Sequence, residues 1–412
     1  MKDITEIQDL IKNEFSKMKT QKDLLRLLNQ VKRYLDESAG RKFVPLKMKS
    51  LNFFKNVKAS GQSRYRTFQI KKKSGKMRTI SAPVGGLKVF QKCLNFVFQT
   101  LYEANDNACG FVPGKSIADG AAKHVGKNYV LNIDLKDFFD SIEIHRVKAI
   151  FTLPPFNLLE DKDNGKSLPY VLANLCCTPK EVTRLDENGN EIVCTRIVTP
   201  QGAPTSPILT NLICRQLDRR LGGLAKRFRI SYSRYADDIT FSSNKKNVFQ
   251  EGSEFWLELR RIVEVNQKFR INEEKTRVQS KYYRQEVTGL IVNEKVNVTK
   301  RYVKQLRMWL YLWERYGYVK ANECFQRDYR IDKGSAKRGK YMENVIEGKL
   351  NYLKMIAGED NVSYKKLADR FDVLIGEKAP AINVSGILDV WENDGIEAAA
   401  KAFEKSIEHA KK

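Results

Sequence analysis

At 412 residues the chain is long enough for at least two hydrophobic cores, so several subdomains are expected. Lys and Arg total 74 against 49 Asp and Glu, a formal charge of +25 spread along the chain, which points to a polyanionic partner and favours nucleic acid over a membrane surface. No run of about 18 apolar residues is present to span a bilayer, the first residues lack the layout of a secretory signal, and the seven cysteines form no C-x-x-C pair beside only three histidines. These features exclude zinc fingers and lead to the expectation of a cytosolic protein with no membrane partner, in which Cys176 and Cys177 are buried thiols rather than disulfides.

From the N-terminus, residues 3 to 36 carry apolar side chains at helical spacing, Ile4, Ile7, Leu10, Ile11 and Phe15 and then Leu24, Leu27, Leu28, Val31 and Leu35. The stretch "YRTFQIKKKSGKMRTISAP", residues 65 to 83, sets two β-prone runs around a Ser-Gly turn and predicts a basic hairpin ending at Pro83. Helical periodicity returns over residues 87 to 103. In "YVLNIDLKDFFDSI", residues 129 to 142, a short apolar strand ends in a carboxylate, Asp134, before a turn into a helix. Asn188-Gly189, between alternating runs, predicts a hairpin inserted at the surface. The Gly/Pro-rich loop "QGAPTSP", from Gln201, leads into a helix of about 20 residues. The next strand pair, "ISYSRYADDITFSSN", sets Asp237 and Asp238 side by side at a hairpin tip. Residues 298 to 357 read as helical and basic, and residues 382 to 412 end in an Ala/Lys/Glu-rich helix; there is no internal repeat.

Two adjacent aspartates can mark a solvated turn and nothing more. Asp134 changes that reading, because it ends a second strand, and neighbouring strands would bring three carboxylates together. Three negative charges at such range must be protonated or neutralised by metal. An oxygen-rich, histidine-free set suits Mg²⁺, with Mn²⁺ as a substitute, and two such ions about 3.5 to 4 Å apart clamp both oxygens of a phosphoryl transfer.

On these residues the sequence resembles the reverse transcriptases. "YADD", Tyr235 to Asp238, matches their palm hairpin, and "NIDLKDFF" carries their first catalytic Asp at Asp134 with an aromatic, Phe139, five positions later. "QGAPTSP" and "INEEKT" match two further motifs, and all four fall in the family's order over roughly residues 40 to 310. The resemblance implies an α+β right-hand polymerase, with fingers, a palm built on an antiparallel sheet and a helical thumb, that performs RNA-directed DNA synthesis from deoxynucleotides with two Mg²⁺ ions. It implies that Asp134 and Asp237 bridge the ions while Asp238 completes the set. Phe139 would clash with a 2′-hydroxyl and select deoxynucleotides. Arg78, with Lys71, Lys72 and Lys73, would clamp the triphosphate. Gln201 would line the nucleotide pocket, Tyr235 would support the primer end, and Lys275 is either an acid for the pyrophosphate leaving group or a surface lysine.

Within that family, Val287-Thr288-Gly289 matches a triplet of the bacterial retron enzymes, and "GAAKHVGK" resembles their Asn-Ala-x-x-His signature, with Gly120 where Asn is expected. That branch implies a dedicated noncoding RNA serving as template and primer, a product with DNA joined to RNA, and a defence effector as partner. No second carboxylate constellation of ribonuclease H type follows Asp238, and other defence-associated or group II intron-like reverse transcriptases, an RNA-directed RNA polymerase and a non-catalytic RNA-binding relative stay open. The expected organisation is an N-terminal helical region (1–40), fingers and palm (41–297), thumb (298–372) and a C-terminal helical extension (373–412). Val287, Thr288, Gly289, Arg301, Lys304, Arg307 and Trp309 are expected to bind RNA, the cations on phosphates and the indoles of Trp309 and Trp313 on unpaired bases, against the alternative that both tryptophans are thumb core.

Overall fold

Thr20 divides the N-terminal helical stretch in two. Its side chain accepts from the Asp23 backbone N–H while the Asp23 carboxylate accepts from the Thr20 N–H, so α1 (Ile4–Lys17) stops and α2 (Gln21–Ser38) starts afresh. The apolar periodicity runs through this break because both helices bury the same kind of stripe, Ile7, Ile11 and Phe15 on one and Leu24, Leu27, Leu28 and Val31 on the other. The computed structural model describes residues 3–57, 64–71, 75, 77–160, 167–186, 188–330, 341–377, 390–391 and 395–411. It divides into two compact units, Met1–Thr288 and Gly289–Lys412, so the break falls within the range expected for fingers and palm (41–297), near its end.

After α3 (Met48–Phe54), the basic hairpin forms from β1 (Tyr65–Lys71) and β2 (Met77–Pro83), in register from Tyr65 opposite Pro83 to Lys71 opposite Met77. It leads directly into α4 (Gly85–Leu101), which packs on α1 and α2. Beyond α5 (Ile117–Ala122), β3 (Tyr129–Lys136) buries Val130, Leu131, Ile133 and Leu135, the near-continuous apolar run of a strand covered on both faces. Then come α6 (Ile144–Thr152), α7 (Leu168–Cys176) and the inserted hairpin, β4 (Thr178–Leu185) with β5 (Glu191–Val198). Its outer face is exposed, but its base is fastened: Lys180 Nζ reaches Asp140 Oδ1 and Oδ2 at 2.8 and 2.7 Å, and Arg184 Nη2 donates to the Asp140 carbonyl at 2.7 Å.

The helix expected after the Gln201 loop is two, α8 (Ser206–Ile213) and α9 (Arg215–Phe228), separated at Cys214. The chain returns through β6 (Ser231–Tyr235) and β7 (Asp238–Ser243), then α10 (Glu254–Arg260), β8 (Arg270–Ile271) and β9 (Arg277–Ser280). Together with β3 these make a five-stranded antiparallel sheet. β7 lines one edge of β3 with β6 outside it, while β8 and β9 share the other edge. In the second unit, α11 (Lys300–Phe325), α12 (Met342–Ala357) and α13 (Val362–Glu377) pack around Leu306, Trp309, Leu310, Trp313, Ile346, Leu350 and Phe371, with a last helix at Ile396–Lys411. Gly317, at φ 73° and ψ 166°, breaks α11.

No helix of the described residues is long and apolar enough to cross a membrane. The cysteines are free, and burial holds the Cys176 thiol up at about 12.

Behind the β6–β7 hairpin, Arg234 and Asp218 form an ion pair in which neither side chain is exposed. Arg234 Nε and Nη2 each lie 2.7 Å from an Asp218 oxygen, and the Tyr232 hydroxyl donates to the same carboxylate at 2.7 Å. Asp218→Ala leaves a buried guanidinium without its counter-charge and should cost about 3–5 kcal/mol. Urea denaturation measures this; an unchanged midpoint would mean that the pair does not support the sheet.

Candidate active site

The sheet register decides where the carboxylates meet. Asp134 near the end of β3 lies directly opposite Asp238 at the start of β7, and the Leu135 N–H donates to the Asp237 carbonyl at 3.1 Å. The three aspartates expected from the sequence therefore come to one spot. Burial pushes Asp237 up, with Asp134 adding repulsion against the pull of Lys275 and Arg78. Asp238 is held up at about 6 by desolvation, then by Asp237 and Asp134. The Asp238 residue surface is exposed, and solvent screening shrinks that shift, but two like charges beside it fix its direction.

Asp134 is engaged on both oxygens. Lys275 Nζ lies 2.8 Å from Oδ1 and 3.0 Å from Oδ2, and Asn272 Nδ2 donates to Oδ2 at 2.8 Å. Lys275 is exposed over much of its side chain yet ion-paired, so it belongs to the cluster rather than to the open surface. Partial burial works against its charge, but Asp134, Asp237 and Asp238 outweigh that and raise its pKa. Among the described residues no three His, Cys, Asp or Glu side chains stand in ready coordination. The donor set nevertheless fits a hard divalent cation: all its ligands are carboxylate oxygens, and their mutual repulsion, now relieved by one ammonium, is what such an ion would relieve more strongly.

The tip that carries Asp237 is strained. Tyr235 pairs with Asp238 across a two-residue turn whose first residue, Ala236, has φ 56°, a conformation costing a non-glycine residue about 1–2 kcal/mol. Arg234 Nη1 donates to the Ala236 carbonyl at 3.0 Å and holds it there. Gly110 lies against the tip so closely that a Cβ would come 2.6 Å from the Ala236 nitrogen. Asn211 joins the two, donating to the Gly110 carbonyl at 2.9 Å and accepting from Arg234 Nη2 at 3.2 Å. None of Gly110, Asn211, Asp218, Arg234 or Asn272 was singled out from sequence; the one available signal was an arginine inside a strand otherwise made to be buried.

Around the carboxylates, Arg78 is exposed on β2 and close enough to act on the Asp237 charge. Lys72 and Lys73 lie outside the described residues, and Lys71 is exposed. Gln201 accepts at its backbone carbonyl from the Ser81 N–H at 2.8 Å, which ties its loop to β2. Gly202 makes that contact possible, since at φ 120° an added Cβ would come 2.8 Å from Ile80 and 2.9 Å from the Ser81 carbonyl. Phe139 is half-buried beside Phe138, and its carbonyl accepts from Thr199 Oγ1 at 2.7 Å. Tyr235 is half-buried against Phe111.

The sequence pattern described as reverse transcriptase (RNA-dependent DNA polymerase) matches residues 70–306, more than half of the chain. The chain is 37% identical over 261 residues to the retron Mx65 reverse transcriptase of Myxococcus xanthus, covering 63% of this chain and 58% of that one. It is 38% identical over 256 residues to the retron Mx162 reverse transcriptase of the same organism, covering 59% and 51%. To the retron Ec86 reverse transcriptase of Escherichia coli it is 31% identical over 247 residues, covering 59% and 68%. The chain belongs to the reverse transcriptase family, on its retron branch. Its α+β architecture is accordingly that of a right-hand polymerase. It spans just over half the length of the two Myxococcus relatives.

The retron-like residues divide into buried and exposed. His124 is fully buried, with Nδ1 2.7 Å from Ser242 Oγ and Nε2 2.8 Å from Ser233 Oγ; burial first, then Lys123 and Lys127, lower its pKa to about 3. It is a neutral brace between β6 and β7. At Gly120 a Cβ would already lie 3.3 Å from that of Cys109, which accounts for the absence of Asn. Val287 is 1% exposed and Trp309 2%, so neither side chain can take the direct RNA contact expected of it. Trp309 packs edge-on against Phe325 and Tyr329, and Trp313 against Tyr318 and Phe371, because both face the core side of α11. Thr288 and Gly289 form a turn at φ 50° and 84°. Arg301, Lys304 and Arg307 are exposed on α11, accompanied there by Met308 and Tyr311, the aromatic that sequence reasoning overlooked.

In metal-free protein, Asp238 keeps its proton longer in the folded state than in the unfolded chain. Between pH 3.8 and about 6, stability should therefore fall as pH rises, and Asp238→Asn should remove that component. Denaturation midpoints of the two proteins across this range check the sign; parallel curves would mean that the three carboxylates do not repel one another as described.

Proposed function

We propose that this chain is an RNA-directed DNA polymerase that extends a primer on a dedicated RNA template. The convergence of Asp134, Asp237 and Asp238 at one strand register, within a chain of the reverse transcriptase family, is the observation that carries this reading. Asp134 and Asp237, with Asp238 completing the set, would hold Mg²⁺, or Mn²⁺ in its place, which when bound would supply Lewis-acid activation of the phosphoryl oxygens and of the primer hydroxyl. Arg78 binds the triphosphate, Gln201 lines the nucleotide pocket and Tyr235 supports the primer end. Lys275, a cation already at the cluster, protonates the pyrophosphate leaving group. Phe139 excludes the 2′-hydroxyl. On this reading fingers and palm (41–297) take up most of the first unit and reach nine residues past its end at Thr288, the thumb (298–372) lies in the second unit, and 373–412 form an extension.

The three retron relatives favour the retron form of this activity, in which one noncoding RNA is template and primer, the product is DNA joined to RNA, and an effector protein couples it to phage defence in the cytoplasm. The exposed Arg301, Lys304 and Arg307 favour α11 as the RNA-selecting element.

Asp237→Ala should abolish deoxynucleotide incorporation on poly(rA) primed with oligo(dT) while RNA binding persists; undiminished synthesis would remove the assignment. Phe139→Ala should raise ribonucleotide use relative to deoxynucleotide use in single-nucleotide kinetics. An unchanged ratio would show that discrimination lies elsewhere, and a preference for ribonucleotides in the unmodified protein would point to an RNA polymerase.

A further inference from the structure

The second unit contains a cavity of about 340 Å³ that the catalytic reading does not use, at the low end of volumes that hold a small molecule. Gly289, Thr299, Tyr302, Tyr329, Lys349 and Tyr352 line it. Tyr302 and Tyr352 lie with ring centroids 5.4 Å apart, and the Tyr302 hydroxyl donates to the Lys349 carbonyl at 3.1 Å, which fixes its ring. Tyr329 is stacked on Phe325 at 4.9 Å and edge-on to Trp309, so the far wall is backed by the helical core. At the lip, Gly289 has no atom within 4 Å of where a Cβ would stand.

These walls select a guest. Aromatic faces take flat or cationic groups, but the cation position is filled from within, since Lys349 Nζ lies 4.1 Å from the Tyr302 ring centroid and 5.6 Å from that of Trp309. A second cation would meet that ammonium. A flat, neutral ring attached to an anion meets tyrosine faces and a positive charge together. Arg301 follows the cavity-lining Thr299 by two residues on α11, and with Lys304 and Arg307 at three-residue spacing it makes an exposed cationic row along that helix, which a phosphate backbone can follow. Bases stacked in a duplex cannot enter a recess of this kind, whereas an unpaired base can leave its neighbours and stack on protein.

We propose that this cavity captures one unpaired nucleobase of the RNA partner, stacked on Tyr302 and Tyr352 with Lys349 on its adjoining phosphate, while Arg301, Lys304 and Arg307 follow the flanking backbone. The proposal rests on the reading that the protein copies a dedicated RNA, and it names where part of that RNA is recognised. It also reassigns base stacking from the buried indoles of α11 to the tyrosines beside them.

The full chain is to be produced in cells fed 4-thiouracil, isolated with its copurifying RNA, irradiated and digested, and the cross-linked peptides identified by mass spectrometry. A cross-link from Tyr302 or Tyr352 to a single unpaired position is expected; cross-links confined to other segments would overturn the proposal. A single-stranded RNA oligonucleotide spanning the cross-linked position then serves as the binding probe. Tyr352→Ala should weaken its binding roughly 5- to 150-fold, the range of one lost base–aromatic stack, while Tyr352→Phe keeps the ring and most of the affinity. Equal losses in both variants, no loss in either, or displacement of the oligonucleotide by UMP at equal concentration would each count against an RNA base. Should Tyr352→Ala fail to fold, the cross-link and the Tyr352→Phe affinity still decide. Incorporation by the unmodified protein on primed poly(rA) is measured separately, so failure of the polymerase reading is told apart from failure of the cavity.

Discussion

The buried pair of Arg234 and Asp218 is the constraint on which the placement of the three aspartates depends. A two-residue turn that starts with a left-handed alanine is not a conformation the chain adopts for its own sake. Arg234 reaches forward to the Ala236 carbonyl and backward to Asp218, and Asn211 ties the same guanidinium to Gly110 beneath the tip. The Arg234, Asp218 and Asn211 side chains are fully buried, so a loss among them leaves an unsatisfied charge or polar group rather than a gap that water can fill. Strain at the tip is thus held by interactions behind it, and the direction of Asp237 is a consequence of α9 as much as of its own strand.

The same arrangement explains how a chain of charge +25 can carry an acidic spot at all. Asp134 and Asp237 both push Asp238 up, and Lys275 and Arg78 act on the set from different segments of the first unit. Phosphates are repelled by the bare aspartates and attracted by everything around them. On the proposed reading a bound cation would change the sign of the spot, and cation binding and polyanion binding would then be mutually dependent rather than separate properties.

How far the sequence was readable follows from the range of the interactions involved. Asp134, Asp237 and Asp238 could be found because a carboxylate at the end of an apolar strand is a local pattern, and the sheet then brings the strands together. The basic hairpin and the inserted hairpin were legible for the same reason. Gly110, Asn211 and Asp218 were not, because each matters through a partner distant in sequence and none breaks a local rule. The α11 segment misled for a different reason. Its aromatics lie on opposite sides, Trp309 and Trp313 inward and Tyr311 outward, with cations interleaved, so periodicity does not say which side is core. Packing against α12 and α13 decides it. The break between α1 and α2 was likewise hidden, because a capping box interrupts a helix without interrupting its apolar stripe.

The inserted hairpin shows how such distant ties bear on specificity. Lys180 and Arg184 of β4 grip Asp140, and Arg184 also reaches Glu143 at 3.2 Å, so the far end of the turn that follows Asp134 is held by an element outside the shared motifs. Thr199, just past β5, fixes the carbonyl of Phe139 from the same direction. A ring can discriminate against a single hydroxyl only if its backbone does not yield by a few tenths of an ångström, because a clash that relaxes costs little. The proposed gate is therefore a property of Phe139 together with this clamp. A relative that keeps the phenylalanine but lacks the cations of β4 would retain the residue and lose part of the stiffness that makes it selective.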